Sequence, residues 1–117
     1  MREPHPTDIH DFQRRLERAI RSLNAHPKVS QHNKALVMQF LERLKAEWLS
    51  LARQMGYVQR LTTIAVILAK DFDKAKQPDI EQLIKTVNAK DWAEWTKDSY
   101  RVTVKRFWRW SKKRPKG

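Results

Sequence analysis

The residues best suited to bind a polyanion lie in the last twenty positions before the C-terminal glycine. From Lys97 to Lys116 there are nine basic side chains and a single acid, Asp98, which gives +8 of the chain's formal net charge of +12. Four of these cations recur at helical spacing and would form one stripe: Arg101, Lys105, Arg109 and Lys112. Like charges along one helix face repel each other, and the phosphates of a nucleic acid relieve that repulsion. The pattern therefore predicts a helix that contacts nucleic acid.

Apolar and aromatic residues occupy the other face of the same predicted helix. They fall at i, i+3, i+4, i+7 and i+10: Tyr100, Thr103, Val104, Phe107 and Trp110. We expect this face to fix the helix to a core while the cations face outward. Four of the five tryptophans are likewise assigned to the core or to packing between helices: Trp48, Trp92, Trp95 and Trp110.

No pattern typical of catalysis or metal binding accompanies the cations. All four histidines fall in the first 32 residues at spacings that do not suit a metal, and the chain has no cysteine. Its two glycines, Gly56 and Gly117, cannot form a glycine-rich phosphate loop. We therefore predict no catalytic residue, no metal site, no cofactor and no enzymatic activity for this chain.

Composition sets the class of protein that must position the cationic stripe. The chain has 117 residues, of which 40% are hydrophobic, and this suffices for one modest core. Nothing alternates with period two for long, so we predict an all-α fold, a compact bundle of four to five helices with an extra helix at the N-terminus. No apolar run approaches the ~18 residues of a membrane span. We expect a cytoplasmic, nucleoid-associated protein without a membrane partner.

Capping residues and apolar spacing predict five helices. Their first residues or caps are Thr7 or Asp8, Ser30, Ser50, Pro78 and Thr96. The second is expected to end near Leu49 and the third near Ala69, with a loop over 70–77. Residues 61–68 are apolar on nearly every side, which is typical of a central helix.

Charge and the predicted helix ends together divide the chain into three predicted parts. Residues 1–32 carry a net charge of +2 and residues 33–117 carry +10. We therefore assign residues 1–29 to an N-terminal arm with an appended helix and 30–112 to the DNA-binding bundle. Residues 113–117 are predicted to begin a linker, which favours a domain cut from a longer parent. The sequence leaves open whether the first helix packs on the bundle.

Several short motifs follow one another over roughly residues 30–112. The most specific is Glu94-Trp95-Thr96-Lys97-Asp98-Ser99-Tyr100, followed by Lys105-Arg106-Phe107 and Trp110. The weaker ones are Asn33-Lys34, Phe40-Leu41, Leu49-Ser50 with Arg53 and Tyr57, Phe72, and Asp79-Ile80-Glu81. Together they resemble the N-terminal SAM-like, core-binding domain of the tyrosine recombinases, or phage integrases, and most closely the archaeal branch.

This resemblance implies a non-catalytic half of a clamp around double-stranded DNA. Its implied partners are a C-terminal catalytic domain of the same parent protein and other recombinase protomers on DNA. It implies DNA contacts for a set of polar residues: Arg53, Arg60, Thr96, Lys97 and Arg101, with Lys105 and Arg109 on phosphates. Arg53 and Arg60 are expected to look outward, and Gln54 is expected to be exposed enough to read a base edge. Trp48 departs from the family, which usually has glycine there.

Two other functions remain open from the residues alone. A helical protein–protein interaction module would use the apolar side of the first helix to dock on a partner or a second copy. An RNA-binding bundle would use the same cations, although A-form grooves admit helices poorly.

Overall fold

The computed structural model describes residues 6–114, with side chains from His10 onward. Within this range five α-helices occur: α1 (Pro6–Ala25), α2 (Gln31–Ala46), α3 (Leu51–Leu68), α4 (Gln77–Asn88) and α5 (Glu94–Lys113). A short 3-10 helix, Phe72–Lys74, lies between α3 and α4. No strand occurs between residues 6 and 114, so the predicted all-α bundle is confirmed. Residues 1–5 of the predicted arm (1–29) and residues 115–117 of the predicted linker (113–117) lie outside the described residues.

Serine caps fix the starts of α2 and α3 as predicted. Ser30 Oγ accepts the Asn33 backbone N–H at 3.1 Å, and Ser50 Oγ accepts the Arg53 N–H at 3.3 Å. Each bond satisfies one of the backbone donors that a helix start leaves free. α2 ends at Ala46, a little earlier than its apolar stripe suggests.

The central helix is α3, which packs against each of the other four helices. Its buried residues include Val58, Leu61 and Ile64, and this confirms the prediction made from its apolar second half. α1 packs along α3 and adds Leu16 and Leu23 to the same core. The first helix is therefore part of the bundle's packing.

An aromatic cluster joins α5 to α2 and to the 3-10 helix. The Phe107 ring lies 5.4 Å from Phe40 and 4.7 Å from Phe72, centroid to centroid. Trp110 packs 5.2 Å from Phe40, and Trp108 packs 5.5 Å from Phe72. These edge-on and tilted contacts stabilise the core beyond the area they bury. They confirm that one face of α5 is fixed to the core.

Polar contacts hold the 3-10 helix against the start of α2. Asn33 is buried, donates from Nδ2 to the Lys70 carbonyl at 3.0 Å and accepts the Phe72 N–H at 2.8 Å. Asp73 bridges His32 Nε2 at 2.9 Å and Arg114 Nη2 at 2.8 Å. Asp73 thereby links Arg114, the residue that follows α5, to the first turn of α2.

The turn between α2 and α3 places a tryptophan in solvent. Trp48 has a φ of 60°, in the left-handed region. A non-glycine residue there costs about 1–2 kcal/mol. The next residue, Leu49, makes the inward contact with the core, so Trp48 points away and is 93% exposed. Trp95, on the outer side of α5, is 74% exposed. The prediction that these two tryptophans pack in the core is wrong.

Candidate nucleic-acid interface

A cationic groove with a volume of 770 Å³ runs between α2 and α5. Six of its lining residues are basic and one, Glu47, is acidic. The basic residues are Arg43, Lys105, Arg106, Arg109, Lys113 and Arg114. The groove floor includes Phe40 and Trp110, whose rings pack together and hold the two helices side by side. The aromatic face of α5 therefore determines where its cations line up.

Glu47 forms ion pairs with two of the groove's arginines. Its carboxylate lies 2.8 Å from Arg106 Nη2 and 3.6 Å from Arg43 Nε. Arg106 also donates to the Tyr57 hydroxyl at 3.4 Å and lies 5.5 Å from the centre of that ring. Burial lowers the pKa of Arg106, but the hydrogen bonds to Tyr57 and Glu47 outweigh it and raise the pKa above its ordinary value. Arg106 therefore lines the groove as a permanently charged side chain held in place by Glu47 and Tyr57.

Three of the four cations of the predicted α5 stripe face solvent. Lys105, Arg109 and Lys112 are exposed, and the first two line the groove. No carboxylate of the described residues lies within ion-pair distance of these three side chains. Charges without an internal partner are the ones free to meet phosphates.

The remaining stripe cation, Arg101, and the preceding basic residue, Lys97, bind to groups of the protein itself. Lys97 Nζ donates to the Asn88 carbonyl at 3.0 Å and lies 3.5 Å from Glu94. Arg101 donates to the Asn88 side chain and to Asp98, and the Asp98 hydrogen bond raises the pKa of Arg101. Both side chains close the corner between α4 and α5. Thr96 lies half-buried in the first turn of α5.

The predicted site residues on α3 divide between surface and interior. Arg53 is exposed in the first turn, beside a shallow depression shared with Val102 of α5. The expectation that Arg60 looks outward is wrong, because its Nε donates to Thr103 Oγ1 at 2.7 Å and its guanidinium lies 5.0 Å from the Tyr57 ring centre. Burial is the main cause that lowers the pKa of Arg60.

Gln54 is also in the interior. It is 5% exposed, and its Nε2 donates to the Leu49 carbonyl at 2.9 Å. The expectation of an exposed Gln54 that reads a base edge is therefore wrong. The side chain points inward because it closes the tight turn between α2 and α3.

Sequence reasoning missed four of the groove's cations as site residues: Arg43, Arg106, Lys113 and Arg114. The last three were counted in the charge of the C-terminal segment without a role. Arg43 lies three positions after Phe40, so the contact of Phe40 with α5 brings Arg43 to the groove. Only the pairing of α2 with α5, which the sequence pattern does not state, reveals it.

Among the described residues, no three histidine, aspartate or glutamate side chains come together as metal ligands. No helix within residues 6–114 is both long and apolar enough to cross a membrane.

No protein-family model, no curated protein and no solved structure matches this chain.

Proposed function

We propose that this chain binds double-stranded DNA, without catalysing a reaction, through the groove between α2 and α5. The observation that supports it best is the charge of that groove, with six cations against one carboxylate. Such a concentration of positive charge attracts the phosphate backbone and releases its counterions. Arg43 and Arg106 stand on different helices and face the same groove, so a phosphate strand can be held from both sides.

The resemblance of the motifs extends the proposal to a parent protein. We propose that the chain is the core-binding domain of a tyrosine recombinase, working with a C-terminal catalytic domain and with other protomers on nucleoid DNA. Strand cleavage would then belong to the catalytic domain. Incubating the chain with supercoiled plasmid tests this: we expect the plasmid to stay uncut, and nicking by the purified chain would contradict the non-catalytic assignment.

The groove is tested by titrating labelled duplex DNA at two salt concentrations. We expect Lys105→Ala combined with Arg109→Ala to weaken binding at least tenfold at low salt without lowering the melting temperature, since both side chains are exposed. The slope of log affinity against log salt should fall by about 2, because two phosphate contacts are lost.

A matched control removes the same charge from another surface. Arg14 and Arg18 are exposed on α1, and neither lines the groove. We expect Arg14→Ala combined with Arg18→Ala to leave affinity and salt slope almost unchanged. Equal losses in the two double variants would contradict the groove, because only net charge would then matter. Duplex RNA as a competitor tests the RNA-binding alternative. We expect duplex RNA to displace the labelled DNA less well than unlabelled duplex DNA does.

A second candidate function, protein docking, is supported by two exposed apolar residues on α5. Trp95 and Val102 lie seven positions apart on one side of that helix, and they are 74% and 57% exposed. A surface of this kind suits a protein partner. Failure of the wild-type chain to bind DNA at low salt would favour this function, and sedimentation would then show whether the partner is a second copy.

A further inference from the structure

The backbone at Trp48 has a conformation that suits glycine better than tryptophan. The residue closes α2: its N–H donates to the Lys45 carbonyl at 3.0 Å, and the Leu49 N–H donates to the Leu44 carbonyl at 3.3 Å. Glycine is the usual residue at this left-handed position because a Cβ is strained there. The two hydrogen bonds use backbone atoms alone, so a glycine would form them as well. The turn itself therefore does not require the indole.

The Trp48 side chain contributes little to the packing of the described residues. It is 93% exposed, whereas Trp92 stacks on Tyr100 at 4.7 Å and Trp108 is 8% exposed in the core. A large aromatic side chain that is both exposed and attached to a strained backbone is unfavourable for folding. Such an outlier points to a use outside the fold.

The surroundings of Trp48 favour an anionic partner with flat rings. Glu47, the preceding residue, lines the cationic groove and pairs with Arg43 and Arg106. Arg53 is exposed five residues later, in the first turn of α3. Trp48 thus lies in the chain between a residue of the cationic groove and an exposed arginine. An exposed aromatic ring combined with cations binds nucleic acid by stacking on bases while the cations neutralise phosphates.

We infer that Trp48 stacks on an unpaired or unstacked base of the DNA whose phosphates lie in the groove. This inference rests on the proposed function and adds to it a residue that distinguishes unpaired or unstacked bases from those of a regular duplex. In a uniform duplex each base face is covered by its neighbours, so an indole can stack only where a base has lost its partner or its neighbour. The ligand is therefore locally distorted DNA in preference to a fully paired duplex.

The experiment compares two labelled DNAs, a short fully paired duplex and the same duplex with a one-nucleotide bulge. We expect the wild-type chain to bind the bulged duplex roughly tenfold more tightly, as one stacked base would give. Trp48→Gly should abolish that preference, retain affinity for the paired duplex and raise the melting temperature, because glycine relieves the strained turn. If Trp48→Gly gains stability and loses the preference for the bulge, the loss is due to the missing indole and not to unfolding.

Two further variants complete the test. Trp95→Ala removes the other strongly exposed tryptophan and should keep the preference, while Trp48→Phe retains an aromatic face and should keep most of it. If the wild-type chain binds both DNAs alike, or if Trp48→Gly still prefers the bulge, the inference is overturned and the groove proposal stands. If the wild-type chain binds neither DNA at low salt, the proposed function and the inference both fail.

Discussion

At the scale of single residues, Glu47 determines how much of the groove's charge is available. Its carboxylate lies against Arg106 and Arg43, and the three side chains are 30–62% exposed. A DNA phosphate that approaches these guanidinium groups has to compete with Glu47. Exposed ion pairs of this kind contribute little to stability, so Glu47 affects binding more than it affects folding.

We expect Glu47→Gln to tighten DNA binding about fivefold at low salt, since removing a unit charge about 4 Å from a phosphate is worth roughly 1 kcal/mol. The measurement is a titration of duplex DNA beside a melting curve. Glu42→Gln is the control, because Glu42 has the same charge, lies in α2 five residues before Glu47, pairs with Lys45 and does not line the groove. Weaker binding by the Glu47 variant at unchanged melting temperature would contradict the role of Arg43 and Arg106.

The residues that sequence reasoning misplaced share one physical cause. Trp48, Trp95, Gln54 and Arg60 were assigned by their chemical type, aromatic inside and polar outside. Their actual positions depend on the left-handed turn after α2 and on how α3 meets α5, as the Arg60–Thr103 hydrogen bond shows. Periodicity along one helix contains no information about such contacts.

At the scale of helices, pattern and structure agree well. Ser30 and Ser50 cap the helices they were predicted to cap, and Phe107 is buried while Lys105 is exposed two residues before it. Caps and periodicity are local properties, so the sequence states them directly. The place of α1 is a tertiary property, and the charge difference between residues 1–32 and 33–117 did not decide it.

The packing of α1 is tested with Leu23, which is fully buried where α1 meets the core. We expect Leu23→Ala to lower the free energy of unfolding by about 2–5 kcal/mol, in one transition followed by urea denaturation. Ser22→Ala is the control, because Ser22 is exposed on the same helix. A near-zero effect of Leu23→Ala, or two separate transitions, would show that α1 folds independently of the bundle.

At the scale of the whole molecule, Asp73 links distant parts of the chain. It receives hydrogen bonds from His32 of α2 and from Arg114 after α5. Burial raises the pKa of Asp73, but the hydrogen bonds from Arg114 and His32 outweigh it and hold the pKa below its ordinary value. Because the folded pKa is the lower one, Asp73 stabilises the fold above its unfolded pKa of about 3.9. That contribution is lost as pH falls through the folded pKa.

We therefore expect the melting temperatures of the wild type and of Asp73→Asn to differ at pH 6 and to converge as the pH falls below the unfolded pKa of about 3.9. The effect is modest, since the Asp73 side chain is 36% exposed and solvent screens its charge. Thermal melts of both chains across this pH range measure it. A difference that stays constant with pH would mean that the Asp73 carboxylate does not stabilise the fold through its charge.

The exposure of Trp48 also has an optical consequence. Trp92, Trp108 and Trp110 pack against other rings, whereas Trp48 and Trp95 are surrounded largely by water. Indole emission shifts to the red in water, and dissolved quenchers reach only hydrated rings. A Trp95→Phe variant would leave Trp48 as the hydrated fluorophore of the described residues. The red-shifted emission of Trp48 would then report changes in its surroundings at the turn between α2 and α3 without any attached dye.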